Sequence, residues 1–209
     1  GALLPQDEDT RQAELGQWFT PPELAREVVS CVPIAGRVVL EPSAGEGAIV
    51  HAALEAGADA VIAVEIDPVM CDRMRARFAA EIEAGRVEVM CGDFLTLEGL
   101  PAFETVVGNV PYDDGADGDH LARLADLVAG THREIGMLLR TVVMHSGDRY
   151  DRVWTRLAIL SLGPCVDRIA FPPAGNAPVE AGKIDVSVFR MCDRASLPPG
   201  DRKSTRLNS

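Results

Sequence analysis

Aromatic residues are scarce, at 5% of the chain, and basic residues are outnumbered, 20 Lys and Arg against 32 Asp and Glu. No apolar run approaches the ~20 residues that a membrane-spanning helix needs. The five cysteines (Cys31, Cys71, Cys91, Cys165, Cys192) stand singly, with no Cys-x-x-Cys pair, which leaves no metal site to expect. They read as reduced, mostly buried small residues of a cytoplasmic protein. Residues 1–14 carry Asp7, Glu8 and Asp9 and lack the basic-then-apolar order of a signal peptide, so they are expected to be a flexible lead-in.

What is present is a globular composition. Apolar residues make up 47% of 209, enough for one buried α/β domain, expected over residues 15–195. The net charge of −12 is unevenly spread. Residues 1–112 hold 19 acids and 7 bases, whereas residues 113–200 hold 12 and 10. An acidic surface repels a polyphosphate, so nucleic-acid contact is expected from the second half. The tail, residues 196–209, has no apolar periodicity and reads as disordered, either native or foreign to the fold.

Periodicity alternates between strand and helix. Thr20 is placed to cap a helix, with Pro21 at its first position and Glu23 at the third, running to about Cys31. Strands are expected at 37–41, 60–66, 86–91, 105–108, 134–143, 166–170 and 184–191, with helices at 48–56, 68–84, 119–129 and 148–162. That is a mainly parallel seven-stranded sheet with helices on both faces. The last two strands share a helix-free connection and should be antiparallel.

In such a sheet the ligand sits beyond the carboxyl ends of the strands. Strand one ends in Glu41-Pro42-Ser43-Ala44-Gly45-Glu46-Gly47, where glycines let a backbone approach a ligand at a helix start. Glu65 lies about 20 residues further on, where an acid takes the ribose hydroxyls of a nucleotide, with Ile66 beside it. Asp67, before Pro68, already serves as helix cap. Strand three ends in Asp93-Phe94. The acid is either a turn residue or an acceptor for an adenine amino group, and the ring either core or ligand contact.

Strand four ends in Asn109-Val110-Pro111-Tyr112. An exocyclic amine on an aromatic ring is a poor nucleophile because its lone pair is delocalised. Acceptors aimed at its hydrogens, here the Asn109 side chain and the backbone carbonyl beside Pro111, push the nitrogen toward tetrahedral geometry. Tyr112 offers a face for the ring.

On these residues the chain resembles the N6-adenine methyltransferases. Gln17-Trp18-Phe19-Thr20-Pro21-Pro22 looks like that group's Phe-Thr-Pro motif at the methionine end of the cofactor. Glu41 to Gly47 looks like its glycine motif, and Asn109 to Tyr112 like its Asn-Pro-Pro-Tyr motif. The resemblance covers about residues 15–192. It implies a Rossmann-like class I methyltransferase fold, S-adenosyl-L-methionine as cofactor, and a nucleic-acid substrate, DNA before RNA. Val110 departs from the motif. With Gly92-Asp93-Phe94-Leu95 it also resembles the rRNA adenine dimethylases, so rRNA adenine or protein glutamine N-methylation is the alternative. No stretch is left for the recognition domain usual in the DNA enzymes. A separate target-recognition partner is therefore expected, or a cofactor-binding subunit without activity of its own. The resemblance also places Phe171, before Pro172-Pro173, against a flipped base, the other reading being a core residue at the sheet edge.

Two surface features complete the reading. Arg149, Arg152 and Arg156 form an i, i+3, i+7 row on the expected 148–162 helix, with Arg140 upstream, either gripping phosphates or facing solvent. Four Asp within 113–119 are expected in a mobile acidic loop. His51, His120, His132 and His145 form no cluster and read as surface or packing residues.

Overall fold

The alternation of short β-branched runs with amphipathic segments builds a seven-stranded sheet. The computed structural model describes residues 20–111, 115–145, 150–164, 185–199 and 201. In chain order the elements are α1 (Pro22–Ser30), β1 (Val38–Glu41), α2 (Ala48–Glu55), β2 (Ala60–Glu65), α3 (Pro68–Arg77), α4 (Ala79–Glu83), β3 (Val87–Cys91), β4 (Thr105–Asn109), α5 (Ala116–Val128), β5 (Glu134–Arg140), β6 (Leu157–Pro164) and β7 (Val186–Asp193). The strand order is β3-β2-β1-β4-β5-β7-β6. Strands β1 to β5 pair in parallel. Strand β7 runs antiparallel to both β5 and β6.

Each face of the sheet carries its own apolar cluster. One joins α1, α2 and α3 through Val28, Ile49, Val50 and Met74. The other joins α5 to the sheet through Leu121, Leu124, Val128 and Phe189. The strands β1, β2 and β4 read as continuous apolar runs because both of their faces are covered. The chain leaves β1 toward β2 on one side, and β4 lies on the other, so the ends of β1 and β4 diverge around a crevice.

Three expectations change. Thr20 does not cap α1: Pro21 is its N-cap, with no side-chain bond. The expected single helix over 68–84 is interrupted at Phe78 (φ −106°, ψ 27°), whose ring is drawn in against the glycine turn. The expected helix over 148–162 is one π-helical turn, Tyr150–Trp154, followed by strand β6. Leu157 to Gly163 is a short apolar run that suits a buried helix or a strand equally. Pairing with β7, from Leu157–Asp193 to Pro164–Ser187, makes it a strand. The strand expected at 166–170 and the loop at 172–182 lie outside the described residues, as do residues 1–19 and 202–209.

Candidate active site

The first element of the site is the turn after β1. Gly45 (φ 53°) and Gly47 (φ 79°) both occupy left-handed backbone, where only glycine is at ease. A Cβ on Gly47 would lie 2.5 Å from the Phe78 ring, so helix α3 packs directly on the turn. The Gly45 N–H donates to Glu65 Oε2 at 2.7 Å, and the Asp67 N–H donates to Glu65 Oε1 at 2.8 Å. Glu65 thus fastens the glycine turn to the start of α3, a task that sequence reasoning did not assign to it. Burial raises its pKa, and the two amide bonds work against that rise. Each carboxylate oxygen has a second lone pair, so holding the turn and accepting ribose hydroxyls are compatible. Asp67 caps α3 as expected, accepting from the Val69 N–H at 2.9 Å.

The turn opens on a cavity of about 250 Å³ whose wall includes Thr20, Glu41, Ser43, Gly45 and Asn109. Five residues from three separate stretches of sequence meet there. Glu41 is 1% exposed, and its Oε2 has no hydrogen-bond partner among the described residues. Burial, then the neighbouring Glu65 carboxylate, hold its carboxyl well above the ordinary range, while the Val50 amide favours the charged form. A buried carboxylate with an unsatisfied oxygen is costly unless a donor fills the space. An ammonium group supplies that donor and the opposite charge.

At the end of β4, Asn109 is 8% exposed and donates from Nδ2 to Thr20 Oγ1 at 3.1 Å. This contact, 89 residues apart in sequence, is what draws the Thr20 hydroxyl away from capping α1. It fixes the orientation of the Asn109 amide. Val110 is buried and Pro111 half-buried, so the apolar residue at the motif's variant position anchors the turn in the core. Gly108 is closely packed just upstream: a Cβ there would sit 3.0 Å from Pro42 and 3.2 Å from Met137.

The adenosine-side candidates divide. Ile66 is 50% exposed, an unusual state for isoleucine directly after a buried strand, and so presents an apolar platform. Asp93 accepts from the Leu95 N–H at 2.9 Å in a tight turn. Phe94 is corrected: it is buried at 2% exposure and stacks on His120, centroids 5.6 Å apart, so its ring belongs to the core. Burial also lowers the His120 pKa, in keeping with a packing role. Glu65, Ile66 and Asp93 do not line the 250 Å³ cavity, which takes in the Thr20–Glu41–Asn109 side of the crevice.

The target side is corrected further. Asp117 and Asp119 lie in the first turn of α5 and not in a loop. Asp117 is fully buried and pairs with Arg140 at 3.0 Å. Arg152 pairs with Asp119 at 2.5 Å and Arg156 with Asp126 at 2.6 Å. The arginines expected to grip phosphates are thus engaged by acids of α5. Phe19, Tyr112, Arg149 and Phe171 lie outside the described residues. Sequence reasoning missed Arg26, His51, Glu55 and Arg77 on the cavity wall. A signal existed for Arg26, since it follows Pro22 by one helical turn and must share its face.

Sheet order, parallel pairing and the antiparallel β7 define the fold of the class I methyltransferases. No family model matches the chain. Its relatives include proteins named as rRNA methyltransferases. A protein of Methanospirillum hungatei named probable ribosomal RNA small subunit methyltransferase A is 40% identical over 95 residues, covering 46% of this chain and 36% of that protein. An rRNA methyltransferase of Streptomyces thermotolerans is 32% identical over 179 residues, 80% of this chain and 54% of the relative. The chain therefore spans between about a third and about half of these two relatives' length. Among solved structures, a dimethyladenosine transferase from Plasmodium falciparum superposes with a TM-score of 0.62 at 18% identity, covering 86% of this chain and 64% of the other.

Proposed function

We propose that this chain is the catalytic domain of an S-adenosyl-L-methionine-dependent methyltransferase acting on adenine amino groups of ribosomal RNA. The observation that carries the cofactor assignment is Glu41, a buried carboxylate with one oxygen unpartnered among the described residues, on a cavity behind a glycine turn. The amino-acid end of the cofactor brings the ammonium that this oxygen lacks. Ser43 and Gly45 line the same wall, and the exposed face of Ile66 with Asp93 suits an adenine ring and its amino group. Glu65 would take the ribose hydroxyls alongside the backbone amides it already accepts from.

When bound, the cofactor supplies a methyl group on a sulfonium. The rest is positioning and electrostatics from the chain's own residues. Asn109, held through Thr20, and the backbone carbonyl beside Pro111 would accept hydrogen bonds from the target amine and direct its lone pair. Tyr112 and Phe171 are assigned to the two faces of the base.

The preference for RNA over DNA rests on the relatives. Two are named for rRNA and a third for dimethyladenosine, and Val110 with Gly92-Asp93-Phe94-Leu95 fits the same group. The DNA preference implied by the resemblance of the three motifs finds no such support among them. With the described target-side arginines paired to α5, RNA grip is assigned to other parts of the protein or to a partner.

Labelled methyl transfer to rRNA, DNA and protein, compared side by side, tests this reading. Label in rRNA at adenine is expected, and label in DNA alone would overturn it. Asn109→Ala should lower turnover by about 100- to 1000-fold while cofactor binding, followed by thermal shift, stays nearly intact.

A further inference from the structure

We propose that Arg26 binds the carboxylate of the cofactor's amino-acid end, opposite Glu41. The inference rests on the cofactor reading of this cavity and names a residue that the motifs do not contain. An α-amino acid carries its ammonium and carboxylate on one carbon, so whatever seats the ammonium on Glu41 places the carboxylate close by. The cavity wall is otherwise hostile to a carboxylate, because Glu41, Glu46 and Glu55 all line it.

Three basic groups share that wall: Arg26, His51 and Arg77. Arg77 is committed, donating Nη1 to the Glu46 carbonyl at 2.8 Å and lying 5.1 Å over the Phe78 ring. His51 faces Glu55 at 3.4 Å. The ion pair of Arg26 is with Glu23, at 3.8 Å and with both side chains exposed, a contact of little energy within one helix. A guanidinium stays charged and matches a carboxylate with two parallel N–H bonds. It sits one turn along α1 from Pro22, which also lines the cavity, so the α1 face it shares is already part of the site.

Calorimetric binding of two probes separates this role from a structural one: S-adenosyl-L-methionine, and its decarboxylated analogue, which keeps the ammonium and sulfonium but lacks the carboxylate. Arg26→Gln should weaken the first by about tenfold and leave the second unchanged. Arg26→Lys should fall between wild type and Arg26→Gln for the first probe only. Equal weakening of both probes, or no weakening of either, would overturn the assignment. Wild-type protein that binds neither probe would overturn the cofactor reading itself, a different failure. Because Arg26 is exposed, the unliganded melting temperature of both variants should match wild type.

Discussion

The two rims of the crevice are fastened by different means. On the β1–β2 rim a single buried carboxylate, Glu65, holds two backbone amides at 2.7 and 2.8 Å and so fixes a glycine turn that has little freedom left. On the β4–β5 rim three ion pairs tie arginines of β5, the π-helical turn and the segment before β6 to acids spaced along α5. The first arrangement is backbone-bound and rigid. The second is side chain to side chain and for the most part solvated. A pocket that holds the same cofactor in every turnover profits from rigidity, whereas a rim that meets a bulky acceptor profits from contacts that can rearrange.

Within the second rim, Arg140–Asp117 is the exception that most sharply tests this contrast. Asp117 has no exposure and Arg140 keeps 26%, so replacing Arg140 leaves a buried carboxylate with the Gly118 N–H but without its countercharge. Arg140→Met should destabilise the protein by about 2–3 kcal/mol, less than a wholly buried pair would because Arg140 retains some solvent. Chemical denaturation measures it. A loss below about 0.5 kcal/mol would place this pair with the solvated ones.

On the rigid rim the sharpest handle is pH. The Glu41 carboxyl titrates well above its ordinary value of 4.5 in the folded protein, chiefly through burial and then through Glu65. The folded state therefore holds this proton more tightly than the unfolded state. The associated stability is complete below about pH 4.5 and is lost as pH rises through the folded value, with a slope of at most about 1.4 kcal/mol per pH unit. Glu41→Gln should flatten this part of the stability profile. Glu65, raised in the same direction, should leave a residual slope. On the proposed seating of the cofactor's ammonium against Glu41, saturating wild type with S-adenosyl-L-methionine should flatten it too. An unchanged slope in Glu41→Gln would remove Glu41 as its source.

Legibility in the sequence follows the same division. The ends of β1, β2 and β4 could be read because strand, turn glycine and cap are dictated within a few residues: Gly45 and Gly47 by positive φ, Asp67 by its bond to Val69 two positions on. Contacts across the chain were hidden. The Thr20 hydroxyl had a sound local use as a cap and was taken instead by Asn109. The hold of Glu65 on the glycine turn depended on the Gly45 N–H lying within hydrogen-bond reach. Phe94 and His120 had to meet across β3 and α5 before either could be called core. The arginine spacing at 149, 152 and 156 mimicked a helix face, and β7 settled the matter by recruiting Leu157–Pro164 as a strand.

The smallest effect is expected where the sequence suggested a large one. Arg152 and Arg156 are substantially exposed and paired to equally exposed acids, so each pair contributes no more than about 0.5–1 kcal/mol after solvent screening. If the acids of α5 hold them, they are already neutralised and displace few counterions from RNA. Replacing both with alanine should change rRNA-fragment affinity by less than about threefold and leave its salt dependence intact. Had they gripped phosphates, each loss would lower the slope of log affinity against log salt by about one. The reverse substitution sharpens the point. Asp119→Asn with Asp126→Asn releases both guanidinium groups onto the same rim, and RNA affinity should then rise at low salt. Titrations at several salt concentrations distinguish the outcomes, and a slope reduced by about two in the double alanine variant would restore the arginine row as a phosphate grip.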